Sequence, residues 1–130
     1  IKNSLTANDP TPKIEIKIWG TGKPLREFLH VDDLADACFF LLASAKISKN
    51  SFNECLLNNY LNIGSGEEIS IAELAKLLKK IIGFGGDLKF DSSKPDGTPR
   101  KLLDSTKLEK LGWTTNITLN KGMRQLYIDN

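Results

Sequence analysis

The stretch from Ile18 to Asp33 joins a strand to a helix through a tight turn, and this limits the folds open to the chain. It reads IWGTGKPLREFLHVDD. Gly20, Gly22 and Pro24 predict the turn, because glycine accepts positive φ and proline holds φ near its turn value. The sequence therefore predicts a change of chain direction between two extended segments.

The segments around this turn have the periodicities of strands and of a helix. Lys13–Trp19 alternates apolar and charged residues, which predicts a half-buried strand. Leu25–Leu29 is predicted as a second, shorter extended segment. The residues from Leu34 to about Ala45 are apolar nearly all round, so we expect a deeply packed helix there.

Polar side chains cluster where the second extended segment meets this helix. By the period of two, Arg26, Phe28 and His30 share one face. Asp32 and Asp33 are predicted to cap the helix as acceptors for its free N–H groups. His30 is predicted to orient the loop into the helix through a hydrogen bond. A flexible turn, a guanidinium and a nearby tryptophan together predict a pocket for an anionic ligand.

The rest of the chain alternates short strands with helices. The predicted elements are a strand at Tyr60–Ile63, a helix from a Ser70/Glu73 capping box to about Ile82, a strand at Asp87–Phe90, a short helix at Ser105–Leu111, and a Thr118-capped helix from Leu119 to about Asp129. This order predicts an α/β fold. The strands are few for a self-sufficient sheet, and the chain starts at Ile1 without an initiator methionine. We therefore expect a piece of a longer protein.

Gly64 and Gly66 flank a serine after the predicted strand at Tyr60–Ile63. A dinucleotide-binding fingerprint needs three glycines at fixed spacing where a helix opens. Only two are present, so we interpret G-S-G as a structural turn.

A second polar stretch, Asp91–Asp104, reads DSSKPDGTPRKLLD. Its two prolines and its glycine exclude regular structure through most of it, so we expect an ordered loop. The loop carries Lys94, Arg100 and Lys101, a preorganised group of cations suited to an anion.

These residues also have purely structural interpretations. Trp19 at a strand end could be a core aromatic, and the lysines could form a solvated face. The alternative ion pairs are Arg100 with Asp96 or Asp104, and Arg26 with Glu27 or Asp32.

Composition narrows the possible partners. The 130 residues carry a net charge of +2, which is too small to predict nucleic-acid binding. Cys38 and Cys55 lack a C-x-x-C spacing, so neither a metal site nor a disulfide scaffold is predicted, and a reducing compartment fits. No apolar run approaches the length of a membrane span and no signal peptide is visible. We therefore expect a cytoplasmic protein with no membrane partner.

Both polar stretches resemble the GDP-L-fucose synthase family, nucleotide-sugar epimerase/reductases of the extended short-chain dehydrogenase superfamily. The first stretch matches W-G-x-G-x-x-x-R-E-F-x-H-V-D-D over Trp19–Asp33. The second matches F-D-x-S-K-P-D-G-T-P-R-K-x-x-D over Phe90–Asp104, before a short helix ending in G-W. The resemblance extends over roughly Ile18–Asp129, apart from Lys46–Asn59.

The resemblance implies the C-terminal, substrate-binding portion of such an enzyme, with residues 1–130 as one domain fragment. It implies that the Rossmann-type NADP-binding part is absent from this chain. The family converts GDP-4-keto-6-deoxy-D-mannose to GDP-L-fucose by epimerisation at C3 and C5 and NADPH-dependent reduction at C4. It also implies NADP(H) held mostly outside this chain, no metal ion, and a homodimeric full-length protein.

By resemblance, Trp19, Arg26 and Lys101 contact the GDP-sugar substrate. Arg100, His30 and Asp32 are expected nearby, as residues that support those contacts.

The family's residues for chemistry are not found in this sequence. A Tyr-x-x-x-Lys pair is needed to polarise the ketone, yet neither Tyr60 nor Tyr127 has a lysine four residues later. The resemblance places the catalytic Cys and His upstream, so Cys38, Cys55 and His30 are not assigned those roles. We predict no catalytic residue in this chain and expect it to be inactive alone.

Two other functions stay open at this point. One is a related epimerase or dehydratase that acts on UDP- or dTDP-sugars. The other is a nucleotide-sugar-binding module without catalysis.

Overall fold

A computed structural model describes residues 14–47 and 60–128, without the side chains of residues 45–47. The elements follow in the order β1 (Glu15–Trp19), β2 (Leu25–Glu27), α1 (Val31–Ile47), β3 (Glu68–Ser70), α2 (Ile71–Ile81), β4 (Asp87–Asp91), β5 (Arg100–Lys101), α3 (Thr106–Lys110) and α4 (Leu119–Ile128). Strands and helices are mixed along the chain, which confirms the predicted α/β class.

The described strands form two small sheets, each joining early and late parts of the chain. β1 pairs in parallel with β4, with Trp19 opposite Asp91. In the second sheet β2 is central, antiparallel to β3 and parallel to β5. Each polar stretch therefore contributes to both sheets, and the sheets bring the two stretches together.

Two predicted segments have different structures. Residues 60–67 contain no strand, so the predicted strand at Tyr60–Ile63 is wrong; the strand is Glu68–Ser70, directly before α2. Pairing with β2 decides this position, because Leu25 lies opposite Ser70. The Asp91–Asp104 loop is also not wholly irregular, since Arg100 and Lys101 form β5.

Three of the predicted helix ends are confirmed in the structure, at both ends of α2 and at the start of α4. The Glu73 N–H donates to Ser70 Oγ, and the Ser70 N–H donates to Glu73 Oε2, each at 3.1 Å, which completes a capping box at α2. Gly83 follows that helix at φ 68°, a conformation that favours glycine. At α4, the Lys121 N–H donates to Thr118 Oγ1 at 3.4 Å.

Helix α1 differs most from its prediction. It begins at Val31, three residues before the predicted start, and it is not deeply packed along its described length. Leu34, Phe39 and Leu42 are exposed, with Phe39 at 74%, whereas Ala37 is fully buried. The apolar sequence predicted burial on every side, but the described residues cover only one side of this helix.

A small hydrophobic core lies beneath the buried side of α1. Its buried members are Ala37, Leu108 and Trp113, and the half-buried residues packed against them are Leu29, Phe40, Leu41 and Ile63. The indole N–H of Trp113 donates to Asp36 Oδ2 at 2.8 Å. This bond satisfies the one polar atom of the ring and fixes α1 against the segment that follows α3.

Candidate functional site

Arg26 and Lys101 are far apart in the sequence but opposite each other on neighbouring strands. β2 and β5 are parallel, and Arg26 and Lys101 are register partners. Register partners in a parallel pair lie on the same face of the sheet. Two of the three residues assigned to the substrate by resemblance are therefore adjacent.

The guanidinium of Arg26 is held by main-chain carbonyls. Its Nη1 donates to the oxygens of Leu25 at 2.6 Å and Thr98 at 2.7 Å. Nη2 lies 2.8 Å from the place a Cβ on Gly97 would occupy, so glycine leaves it room. Neither Glu27 nor Asp32 forms an ion pair with Arg26, so both alternative pairings are wrong.

Trp19 lies at the end of β1 and is exposed rather than buried. Its exposed fraction is 74%, so the core interpretation is wrong. The Lys94 ammonium sits 5.7 Å from the centroid of the indole ring, a cation–π contact. The turn at residues 20–24 links this tryptophan to the strand that carries Arg26.

Asp96 ties that turn to the second polar stretch. The N–H of Thr21 donates to Asp96 Oδ1 at 2.7 Å, and its hydroxyl donates to Oδ2 at 2.6 Å. These bonds, the hydroxyl bond first, lower the pKa of the Asp96 carboxyl. Gly20 is held at φ 85°, and a Cβ there would collide with the same carboxylate. The turn therefore requires glycine for two separate reasons.

Arg100 pairs with Glu68 and not with Asp96 or Asp104, which corrects both alternatives. Its Nε lies 2.8 Å from each oxygen of Glu68, and its Nη2 lies 2.6 Å from Oε2. The hydrogen bond lowers the pKa of Glu68 and raises that of Arg100. Because neighbouring residues of a strand face opposite sides, Arg100 lies across β5 from Lys101.

Lys101 is an available cation at this surface. It is exposed, and in the described ranges 14–47 and 60–128 no acidic side chain forms an ion pair with it. The three predicted cations of the loop thus have separate environments: Arg100 is neutralised by Glu68, Lys94 contacts a tryptophan, and Lys101 faces solvent.

His30 occupies the residue before α1 and acts there as a structural hydrogen-bonding group. The N–H of Asp32 donates to its Nδ1 at 3.2 Å, and the N–H of Leu34 donates to its carbonyl oxygen at 3.0 Å. The imidazole therefore caps the helix, which confirms the predicted orienting role. Its ring lies against Gly122 of α4, where a Cβ would approach within 2.7 Å.

The predicted capping by Asp32 and Asp33 is wrong, because both lie inside the first turn of α1. Asp32 is exposed, whereas Asp33 is only 2% exposed. The Asp33 carboxylate accepts the N–H groups of Asn116 at 3.1 Å and Ile117 at 3.0 Å. It holds the segment before α4 instead of the start of its own helix.

Glu27 is a residue that the motif analysis did not assign. Its Oε1 accepts the Gly66 N–H at 2.8 Å and its Oε2 accepts the Leu103 N–H at 3.1 Å. A Cβ on Gly64 would lie 2.5 Å from Oε1, so that glycine leaves space for the carboxylate. The G-S-G turn is structural, as predicted, and the charged position between Arg26 and Phe28 was the only sequence signal for its partner.

The polar stretches line a small open pocket of about 130 Å³, formed by Lys23, Pro24, Asp96, Gly97 and Pro99. A larger cleft of about 540 Å³ lies elsewhere, between α2 and the segment before α4. Three glutamates line that larger cleft; Arg100 neutralises Glu68, but Glu67 and Glu73 still make its charge unfavourable for an anion. The surface around Arg26 and Lys101 is therefore the better candidate for an anionic ligand.

The same described residues also bear on a metal site and on a membrane span. No group of three or more His, Cys, Asp or Glu side chains there could share a metal ion. No helix in that part of the chain has the length and apolar character needed to cross a membrane. Cys38 is an exposed free thiol, and Cys55 lies outside the described residues, as does most of the Lys46–Asn59 segment.

Known proteins are similar to this chain in sequence. A model of the NAD dependent epimerase/dehydratase family matches residues 1–55. GDP-L-fucose synthase 1 of Arabidopsis thaliana is 56% identical over 113 residues, which are 87% of this chain and 32% of that protein. GDP-L-fucose synthase of Escherichia coli (strain K12) is 43% identical over 113 residues, 87% of this chain and 35% of that protein. The chain is a homologue of the GDP-L-fucose synthases.

A solved structure supports the fold of this GDP-L-fucose synthase homologue. A GDP-mannoheptose C4 reductase from Campylobacter jejuni, solved with NADP bound, is 40% identical and superimposes with a TM-score of 0.74. The match covers 88% of this chain and 34% of that one. The chain spans about a third of the length of the curated relatives it matches, so it represents part of a Rossmann-like α/β protein.

Proposed function

We propose that this chain forms the GDP-sugar-binding part of a GDP-L-fucose synthase. The complete enzyme would convert GDP-4-keto-6-deoxy-D-mannose to GDP-L-fucose. The observation that carries this proposal is the pairing of Arg26 with Lys101 across β2 and β5. Like charges directly opposite each other destabilise a sheet. An anionic ligand such as a nucleotide diphosphate would remove that cost.

Arg26 and Lys101 have different parts in this proposal. The carbonyls of Leu25 and Thr98 hold Nη1 and so fix the guanidinium before a ligand arrives. Its remaining N–H groups can make a directional, paired contact with phosphate oxygens. Lys101 acts as a compact point charge on a flexible stem.

Trp19 supplies a flat apolar surface beside these cations. With its ring 74% exposed at a strand end, it can cover one face of the nucleotide or sugar. Asp96 fixes the turn behind it through Thr21. His30 and Asp32 are proposed to support the site from a distance: the hydrogen bond of the His30 ring is to the start of α1, and the ring lies against Gly122 of α4.

The chemical step is assigned to residues outside this chain. NADP(H), when bound there, would supply the hydride for reduction at C4. The chain itself would bind and orient the sugar nucleotide, and alone it would be inactive. The complete protein is proposed to be a cytoplasmic homodimer.

The test uses the complete protein with GDP-, UDP- and dTDP-sugars as ligands. Because a charge-assisted hydrogen bond contributes about 1.5–3 kcal/mol, Arg26→Ala should weaken binding of the GDP-sugar about ten- to a hundredfold. Lys101→Ala should cost less, and its effect should decline more steeply with added salt. Lys80→Ala, which removes an exposed lysine at the end of α2, is the matched control for charge.

Each result has a defined meaning. If Arg26→Ala and Lys101→Ala both leave KM and affinity at the level of Lys80→Ala, the pair is a solvated surface and the proposal is wrong. Tighter binding of UDP- or dTDP-sugars would support the related epimerase or dehydratase instead. Binding of a GDP-sugar by the complete protein without turnover of NADPH would indicate a binding module.

A further inference from the structure

Glu27 lies beside Arg26 on the central strand, and its carboxylate is used only for main-chain contacts in the described residues. Its two oxygens accept the N–H groups of Gly66 and Leu103 at 2.8 and 3.1 Å. Its register neighbour on β3 is Glu68, whose charge is taken up by Arg100. No cation of the described part pairs with Glu27, so its carboxylate serves to hold the main chain at Gly66 and Leu103.

The contact between Glu27 and Leu103 extends the attachment of β5 to β2 beyond the last pair of the ladder. The β2–β5 ladder has only two register pairs, and it ends at Lys101. Leu103 lies two residues further on, and the Glu27 side chain bonds its N–H in place of a third main-chain pair. On the other side, Arg26 bonds the carbonyl of Thr98. The main chain that carries Lys101 is therefore held on both sides of that residue, at Thr98 and at Leu103.

We infer that Glu27 is a positioning residue, which holds Lys101 beside Arg26 for contact with the sugar nucleotide. The inference rests on the proposed function, because that function assigns Lys101 to binding the sugar nucleotide. It assigns no direct ligand contact to Glu27. A carboxylate that bonds two N–H groups from different segments is difficult to replace, since glutamine offers only one acceptor oxygen.

The first experiment compares Glu27→Gln with Glu67→Gln in the complete protein, because Glu67 is exposed and loses the same charge. Loss of one charged acceptor should raise KM for the GDP-sugar about three- to tenfold, with kcat within about twofold of wild type. Hydrogen exchange at the Leu103 amide should become faster. Glu67→Gln should change none of these values.

A double-mutant cycle then asks whether Glu27 acts through Lys101. In a Lys101→Ala background, Glu27→Gln should raise KM by less than about twofold, because the residue it positions is already absent. A full additional effect in that background would overturn the inference.

Gly64→Ala perturbs the Glu27 carboxylate without changing Glu27 itself. A Cβ at Gly64 would lie 2.5 Å from Glu27 Oε1, and the backbone there is not in the left-handed region. We expect the alanine to displace the carboxylate and to raise KM in the same sense as Glu27→Gln. Gly85→Ala is the matched control, because nothing lies within 4 Å of its Cβ position.

The outcomes separate this inference from the proposed function. If Lys101→Ala raises KM while Glu27→Gln and Gly64→Ala do not, the positioning role is wrong and the binding site stands. If Lys101→Ala itself has no effect, the proposed function fails. Should Glu27→Gln not fold, Glu27→Asp, whose shorter side chain cannot reach both N–H groups, is measured with Gly64→Ala, and the same outcomes decide.

Discussion

Two regions of this molecule are held together by different forces. The first, which we call the core region, contains the buried residues Ala37, Leu108 and Trp113. The second, the loop junction, comprises residues 19–27 and 91–103. Apolar contacts dominate the core region, whereas directed hydrogen bonds dominate the loop junction.

The difference follows from what each region must do. Buried apolar area contributes most of the stability of a fold, but it does not orient polar groups toward a ligand. In the loop junction, Asp96, Arg26 and Glu27 each connect segments far apart in the chain. Substitutions in the core region should therefore reduce stability most, and substitutions in the junction should have their main effect on binding.

The largest effect is expected from Leu108→Ala. Leu108 is fully buried, so its truncation should lower the free energy of unfolding by about 2–5 kcal/mol. KM for the GDP-sugar should stay near the wild-type value while the protein is folded. Urea denaturation and kinetics of the complete protein measure both quantities. Ile82→Ala, at a position 44% exposed, is the control. A large change in KM with unchanged stability would erase the distinction between the regions.

The adjacent aspartates of α1 give a closer test within the core region. Asp33 is buried and accepts two N–H groups, so Asp33→Asn should cost about 1–3 kcal/mol of unfolding free energy, because an amide leaves one donor unsatisfied. Asp32→Asn removes the same charge from an exposed side chain and should cost far less. Equal losses for the two variants would show that Asp33 is not a structural link to the segment before α4.

Much of the fold follows from local sequence signals. Three helix ends were predicted correctly, from the Ser70/Glu73 capping box, Gly83 and Thr118, because each of these signals acts through neighbours within four residues. The turn at Gly20 was also predicted, although its second cause was not. That cause is the Asp96 carboxylate, which comes from a distant part of the sequence.

The predictions that failed concerned residues whose partners lie far away in the sequence. Asp32 and Asp33 are alike in sequence, and only the approach of Asn116 and Ile117 makes one of them buried. Arg100 had two aspartates close in the sequence, yet its side chain pairs across the central strand β2 with Glu68 of β3. Pairing in a sheet is not encoded within a short window, so the adjacency of Arg26 and Lys101 was expected from resemblance and not from periodicity.

Acid should weaken the loop junction through Asp96. Hydrogen bonds from Thr21 hold the pKa of Asp96 below its ordinary value of 3.8. The folded state thus favours the charged carboxylate, so the contribution is complete above the unfolded pKa and is lost as pH falls through the lowered folded pKa. Thr21→Val removes the hydroxyl bond, which is the largest cause of the shift.

The measurement is urea denaturation of wild type and Thr21→Val from about pH 6 to about pH 2.5, since stability contributed by a lowered aspartate pKa is lost in acid. The two proteins should differ most at the upper end and converge at the lower end. Thr114→Val, at an exposed threonine, should track wild type throughout. A constant difference at every pH would mean that Asp96 does not link stability to protonation.

The smallest effect is expected at Lys94, on the outer side of the loop junction. Its ammonium lies over the exposed Trp19 ring, and a surface substitution of this kind should leave the free energy of unfolding within about 0.5 kcal/mol of wild type. Lys94→Met keeps a chain of similar length and removes only the charge. Binding of the GDP-sugar to the complete protein should weaken about two- to threefold, because one nearby cation is lost and screening by salt limits its contribution.

That weakening should disappear as the salt concentration rises, whereas the loss caused by Arg26→Ala should persist, because a directional hydrogen bond is screened less than an exposed charge. Lys80→Met serves as the control for charge. If Lys94→Met lowers stability more than affinity, the tryptophan contact is part of the fold, and the division between a packed core and a polar binding junction does not hold at Trp19.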